Sequence, residues 1–194
     1  ERLLDRIEGN DWHWQEDSRE GRLRYLVLSS SHPRHFALGG DLAYFQSCIE
    51  SGNAGALRAY SMRCLELVRR IFSAAHEVTT VTLVQGRALG GGFETALSAT
   101  HLIAERGAEF GFPEIAFGTF PCTGGLSLLT KRIGLRRAAA FVRNPRIHSA
   151  EDLQRRYHRV PDAHLVDQAG ESAVREGDGP PDGELNGGRA RDRH

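Results

Sequence analysis

From Asn53 onward apolar residues recur at steps of three and four: Leu57, Tyr60, Cys64, Leu67, Val68, Ile71, Phe72 and Ala75, with Arg58, Arg63, Glu66, Arg69 and Arg70 on the other sides. That period predicts an amphipathic helix packed on a sheet. Two shorter runs have another character. Leu23 to Ser29 is β-rich and almost continuously apolar, which predicts an interior strand buried on both faces. Val78 to Gln85 predicts a second strand, ended by Gly86. A turn-rich stretch from Ser30 through Gly39 and Gly40 leads into Asp41, a natural N-cap for a helix carrying Leu42, Tyr44, Phe45 and Ile49. After the second strand, Arg87, Ala88, Leu89 and the glycines Gly90, Gly91 and Gly92 lead into a helix from Phe93 to about Ala99. The unit strand, glycine loop, helix therefore occurs twice.

Leu102 to Ala104 predicts a third strand, and Phe110, Phe112, Ile115, Phe117 and Phe120 form an aromatic stretch broken by Pro113 and Pro121. Helices are expected over Gly125 to Ile133 and Leu135 to Val142, and Ser149 with Asp152 three residues on opens another as a capping box. Alternating strands and helices predict an α/β architecture with parallel strands. Residues 1–22 form a polar N-terminal segment, expected as a short helix and then a loop; residues 23–174 form the core. In 175–194 Leu185 is the one large apolar side chain among glycines and prolines, so this tail is expected to be disordered.

Composition narrows the function. The 194 residues carry 25 Lys and Arg against 25 Asp and Glu, so no net field draws in nucleic acid or an anionic membrane, and neither is expected as a partner. No apolar run approaches the roughly 20 residues of a membrane helix. The opening residues mix charges where a signal peptide is apolar, so the expected location is cytoplasmic. Lys131 is the one lysine and thus the one candidate for a Schiff base. Cys48, Cys64 and Cys122 form no CxxC pair, and no two histidines stand at i,i+4, so neither a disulfide framework nor a metal is expected. The nine histidines read as surface or capping residues, and Arg136 and Arg137 as a solvated face with a phosphate group as the alternative partner.

Three segments bear chemistry. Leu89, Gly90, Gly91, Gly92, Phe93 and Glu94 join a strand to a helix start, where free N–H groups hold developing negative charge. Read alone, the segment is as well a tight turn with an acidic first helical residue. It has neither the P-loop spacing nor the GxGxxG order. Leu38, Gly39, Gly40 and Asp41 repeat that geometry, with Asp41 read as a helix cap. N–H groups from the two loops, converging on one oxygen, make an oxyanion hole for a thioester or ester carbonyl. Glu114 follows Phe112 and Pro113 in an apolar surround; paired with Glu94 it supplies general acid and base catalysis.

These residues carry a resemblance. The run from Val84 to Glu94, then Ile103 to Glu105, then Phe110 to Pro121, with Phe36 to Leu42 upstream, resembles the crotonase (enoyl-CoA hydratase/isomerase) superfamily. The wording of the two glycine motifs is most similar to that of the diffusible-signal-factor synthases, which dehydrate 3-hydroxyacyl thioesters to 2-enoyl products and also hydrolyse the thioester. The resemblance implies a ClpP/crotonase fold of repeated ββα units. It places Glu94 and Glu114 on the two catalytic glutamates and the N–H groups of Gly40 and Gly91 on the oxyanion donors. Leu38, Gly39, Asp41, Leu89, Gly90, Phe93, Phe112, Pro113 and Phe117 then contact substrate, with Ile115 and Leu126 as further acyl-chain walls or core. The implied substrate is an acyl-CoA or acyl-carrier-protein thioester, with no cofactor, and a homotrimer or hexamer where the full architecture is kept. The fold is expected to be truncated at both ends, since the opening hairpin is missing and the tail replaces the C-terminal helices. Cys122 stands where the family has glycine and reads as an inert wall residue or, less simply, a nucleophile. The competing readings are an inactive truncated relative acting as a binding module, an isomerase and a thioesterase.

Overall fold

The computed structural model describes residues 13–16, 19–157 and 163–166. The expected disordered tail, 175–194, lies outside them. Among the described residues there are three sheets. β1 (His13–Glu16) and β2 (Arg19–Arg22) form an antiparallel hairpin in the register His13↔Arg22 to Glu16↔Arg19. The hairpin corrects the expectation that it is missing and that the segment up to Arg22 is loop, while the short helix expected before it lies outside the described residues. A two-stranded ribbon is held by its backbone ladder, so its polar residues gave no apolar period to read.

The larger parallel sheet has the order β10-β7-β5-β3, from β3 (Tyr25–Leu28), β5 (Thr79–Val84), β7 (His101–Glu105) and β10 (Ala163–Val166). Contrary to expectation, β3 is an edge strand and is not buried on both faces. Leu26 points into the core while Tyr25 and Val27 are exposed. The run looked continuous because its outward residues are apolar too. The second sheet has the order β4-β6-β8-β9, from β4 (His35–Ala37), β6 (Arg87–Leu89), β8 (Glu109–Gly111) and β9 (His148–Ser149); only the β8/β9 pair is antiparallel. Arg87 to Leu89, read as loop, is thus the second strand of a ββα unit.

The helices lie close to their expected positions. They are α1 (Leu42–Glu50), α2 (Ala54–Ala74), α3 (Gly91–Ser98), α4 (Gly125–Ile133), α5 (Leu135–Val142) and α6 (Ala150–Arg156). Asp41 Oδ1 accepts from the Tyr44 N–H at 3.0 Å, and Ser149 Oγ accepts from the Asp152 N–H at 3.1 Å, so both predicted caps are made. None of these helices is long and apolar enough to cross a membrane.

α3 is the pivot of the molecule. Six of its eight residues are buried, and the rings of Phe93, Phe110, Phe112 and Phe141 meet with centroids 5.0–6.0 Å apart in the main core. Gly92 is obligatory there, because a Cβ would collide with the Ala37 carbonyl of β4. At the other end of α3 the Arg132 guanidinium donates to the carbonyls of Leu97 (3.2 Å) and Ala99 (2.5 Å), satisfying acceptors that the helix leaves open. On the sheet side, the Thr82 hydroxyl donates to the Ala96 carbonyl at 3.0 Å. α3 is therefore held in place from three directions, by β4 at its N-terminal end and by Arg132 and Thr82 toward its C-terminal end.

Candidate active site

The site forms where three segments meet at the start of α3. Gly90, the N-cap, has φ 54 and ψ −128, a conformation that a residue with a Cβ avoids. Its N–H donates to the Gly111 carbonyl at 2.9 Å, tying the loop to β8. The Gly39–Gly40 loop lies directly alongside. A Cβ built on Gly39 would stand 3.0 Å from the Gly91 nitrogen and 3.2 Å from the Leu89 carbonyl oxygen. One built on Gly91 would stand 3.9 Å from the Gly40 nitrogen and 4.0 Å from Glu94 Oε2. Among the described residues neither the Gly40 nor the Gly91 N–H has an acceptor. Two adjacent amides at a helix start are thus free to bind an oxygen that carries negative charge.

Glu94 is almost sealed, with 1% exposure. Its Oε1 accepts from the Thr123 N–H at 2.9 Å and from the Gly125 N–H at 2.7 Å, and its Oε2 accepts from the Thr123 hydroxyl. A carboxylate this deep needs such donors. Glu114 is different. It sits in the 3-10 turn Pro113–Phe117, half-buried, with its carboxyl against Gly90, and its Oε2 is buried without a hydrogen-bond partner among the described residues. Burial raises its proton affinity above the ordinary carboxyl range; its own N–H opposes this in part, and the Glu94 charge adds to it. One carboxyl is fixed by three donors and the other is poised to hold a proton.

Asp41 is a helix cap, and its N–H donates to the Tyr60 hydroxyl at 2.9 Å. Its side chain is engaged in capping, as expected for a residue before a helix. Phe93 (3% exposed) and Phe112 (0%) are core residues behind the carboxylates, and so are not accessible walls. Leu38 and Phe117 are exposed, Leu126 is partly so, and Leu89, Pro113 and Ile115 are half-buried. The apolar surround expected for Glu114 thus divides into buried Phe110 and Phe112, half-buried Ile115 and outward-facing Phe117.

Cys122 has one side open to solvent. Partial burial of its thiol, with the Glu94 and Glu114 carboxylates nearby, pushes its pKa up, which keeps it a poor nucleophile. Among the described residues no three His, Cys, Asp or Glu side chains are grouped to hold a metal ion. Sequence reasoning missed Thr123 and Tyr60. The first follows Pro121 and Cys122 in a segment read only for its cysteine, and the second was counted as one more apolar residue on the face of α2.

With this geometry in view, the chain can be compared with known proteins. The profile of the enoyl-CoA hydratase/isomerase family matches residues 15–176. A crotonyl-CoA hydratase of Syntrophomonas wolfei is 34% identical over 111 residues, 56% of this chain and 40% of that protein. A short-chain-enoyl-CoA hydratase of Clostridium acetobutylicum is 29% identical over 140 residues, 71% of this chain and 51% of that protein. The structure of Pseudomonas aeruginosa DspI superposes with a TM-score of 0.69 at 28% identity, covering 86% of this chain and 58% of that one. This chain therefore spans about half the length of the two curated relatives.

Proposed function

The chain belongs to the enoyl-CoA hydratase/isomerase family, and from that premise we propose that it adds water to, or removes it from, the α,β bond of an acyl thioester. The observation that carries this reading is the unequal carboxyl pair over Gly90 and Gly91: Glu94 held by three donors, Glu114 with a partnerless buried oxygen and a raised pKa. Acid and base on one substrate need two such groups in different states.

In the hydration direction Glu94 takes a proton from a water whose oxygen bonds to Cβ, and Glu114 delivers its proton to Cα. The thioester oxygen, enolate-like between these events, is held by the N–H groups of Gly40 and Gly91. Dehydration runs the same steps backwards: Glu114 removes the α-proton and Glu94 returns a proton to the departing 3-hydroxyl. Electron pairs and protons balance without a cofactor. The acyl carrier is CoA or a carrier protein.

A second reading extends the first. The wording of the glycine motifs at Leu38–Asp41 and Leu89–Glu94 is similar to that of the diffusible-signal-factor synthases, so a free 2-enoyl acid would follow if the same oxyanion site also served thioester hydrolysis. Mass spectrometry of products from 3-hydroxyacyl-CoA and 3-hydroxyacyl carrier protein of several chain lengths tests both. A 2-enoyl thioester supports the first reading and a 2-enoyl free acid the second. Folded protein with no turnover on either carrier would count against both and favour a binding module.

A further inference from the structure

We propose that Thr123 is the positioning residue for Glu94, its hydroxyl determining which lone pair of that carboxylate is presented to the reacting water. The inference rests on the two-carboxylate reading above and adds a residue outside the motifs that led to it. Each carboxylate oxygen offers about two lone-pair sites. Oε1 of Glu94 has both filled, by the backbone N–H groups of Thr123 and Gly125 at 2.9 and 2.7 Å. Oε2 has one filled, by the Thr123 hydroxyl. Among the described residues one site is left, on Oε2.

Oε2 is also the oxygen that approaches Gly91, standing 4.0 Å from where a Cβ of that glycine would lie. The remaining lone pair therefore belongs to the carboxylate oxygen that approaches Gly91, the residue assigned to the thioester. Without the hydroxyl, Oε2 would keep two open sites and the carboxyl could rotate about its terminal torsion, which is soft. Thr123 is suited to the task on two further counts. It is 6% exposed, so solvent does not readily replace its bond, and its branched side chain is stiff at χ1. A hydrogen bond to a carboxylate is moreover of the stronger, charge-assisted kind.

The test uses Thr123→Val, which keeps the volume and removes the donor, and Thr123→Ser, which keeps the donor. Expected for Thr123→Val is a loss of about 10-fold or more in kcat, the scale of one charge-assisted hydrogen bond, with KM within about twofold of the parent. Thr123→Ser is expected to recover most of kcat. On a Glu94→Gln background, Thr123→Val is expected to add no further loss, whereas a merely structural role would lower the residual rate again. If Thr123→Val does not fold, Thr123→Ala takes its place with the same expected result. Parental kcat in the Val and Ala variants, failure of Ser to rescue, or full additivity with Glu94→Gln would overturn the proposal. Parental turnover in Glu94→Gln itself would instead overturn the reading on which it rests, so the two failures are distinguishable.

Discussion

The carboxyl of Glu114 rests against the α-carbon of Gly90, in the space that a side chain at that position would need. Gly90 is also the N-cap of α3, one residue before the Gly91 amide and four before Glu94. One glycine thus fixes the spacing between the proposed oxyanion site and the second carboxyl. Both the missing side chain and the positive φ are used, the first to admit Glu114 and the second to turn β6 into α3.

A half-buried carboxyl with a partnerless oxygen costs stability whenever it is ionised. Because the folded chain holds the Glu114 proton more tightly than the unfolded chain, its stabilising contribution is present below the ordinary value of 4.5 and is lost as pH rises through the raised folded value. Glu114→Gln, neutral at every pH, is therefore expected to melt higher than the parent at roughly pH 8, with the difference shrinking as the pH approaches the ordinary carboxyl value. Melting curves of both proteins across that range check it; a variant that melts lower at every pH would refute the cost assigned to the ionised Glu114 carboxyl.

The Tyr60 hydroxyl accepts the N–H of Asp41, the residue after Gly40, and its ring lies against that loop. Tyr60→Phe removes the acceptor and little else. Loss of one such bond, on the order of 0.5–1.5 kcal/mol, is expected to lower kcat by about 3- to 10-fold while the protein stays folded. Steady-state kinetics alongside circular dichroism decide this, and an unchanged kcat would show that the loop holds its shape without Tyr60.

Close approach of backbones predicts a different outcome at Gly92. A methyl group there meets the Ala37 carbonyl of β4, which has no flexible end to move aside. Gly92→Ala is expected to destabilise the protein by about 3 kcal/mol or more, the upper end of overpacking effects. Urea denaturation measures it; a stability equal to the parent would mean that α3 shifts freely against β4.

His148 is buried on β9 beside the Phe141 ring, with centroids 5.1 Å apart. Burial lowers its pKa from the ordinary 6.5, and the Arg156 and Arg146 charges lower it further against a smaller opposing effect of Asp152. The unfolded chain therefore binds a proton that the folded chain refuses. Stability from this residue is complete above the ordinary value and is lost as pH falls below it toward the folded value. Melting temperature is expected to drop between roughly pH 7.5 and 5, and to drop less in His148→Gln. Equal slopes for the two proteins would exclude His148 as the cause.

Helices were the most legible part of the fold. Asp41 and Ser149 sit as the expected side-chain caps, and the apolar steps along α2 include its buried Val68 and Ile71, although Ala74 is buried where the steps point to Ala75, which is exposed. Strands were less legible where burial did not follow the pattern. Tyr25 and Val27 are apolar yet exposed, so an edge strand read as an interior one. Arg87 to Leu89 is too short to show a period, and the β1/β2 ribbon carries Trp14 as its one large apolar side chain. Gly40, Gly91, Glu94 and Glu114 were singled out from spacing together with the resemblance, and the structure brings them together around the start of α3. Thr123 was not singled out, because its bond to Glu94 spans 29 residues and depends on how α4 docks against α3. Phe93 and Phe112 show the converse limit: an apolar residue beside a catalytic one cannot be assigned to pocket or core until its exposure is known.

The central claim is that Glu94 and Glu114 together carry the chemistry. The most direct measurement is the turnover of a 3-hydroxyacyl thioester to its 2-enoyl product by the parent, Glu94→Gln and Glu114→Gln, each shown to be folded. Each variant is expected to lose on the order of 10²- to 10⁴-fold in kcat, the usual contribution of a positioned acid or base. Turnover at the parental rate in either variant would contradict the account.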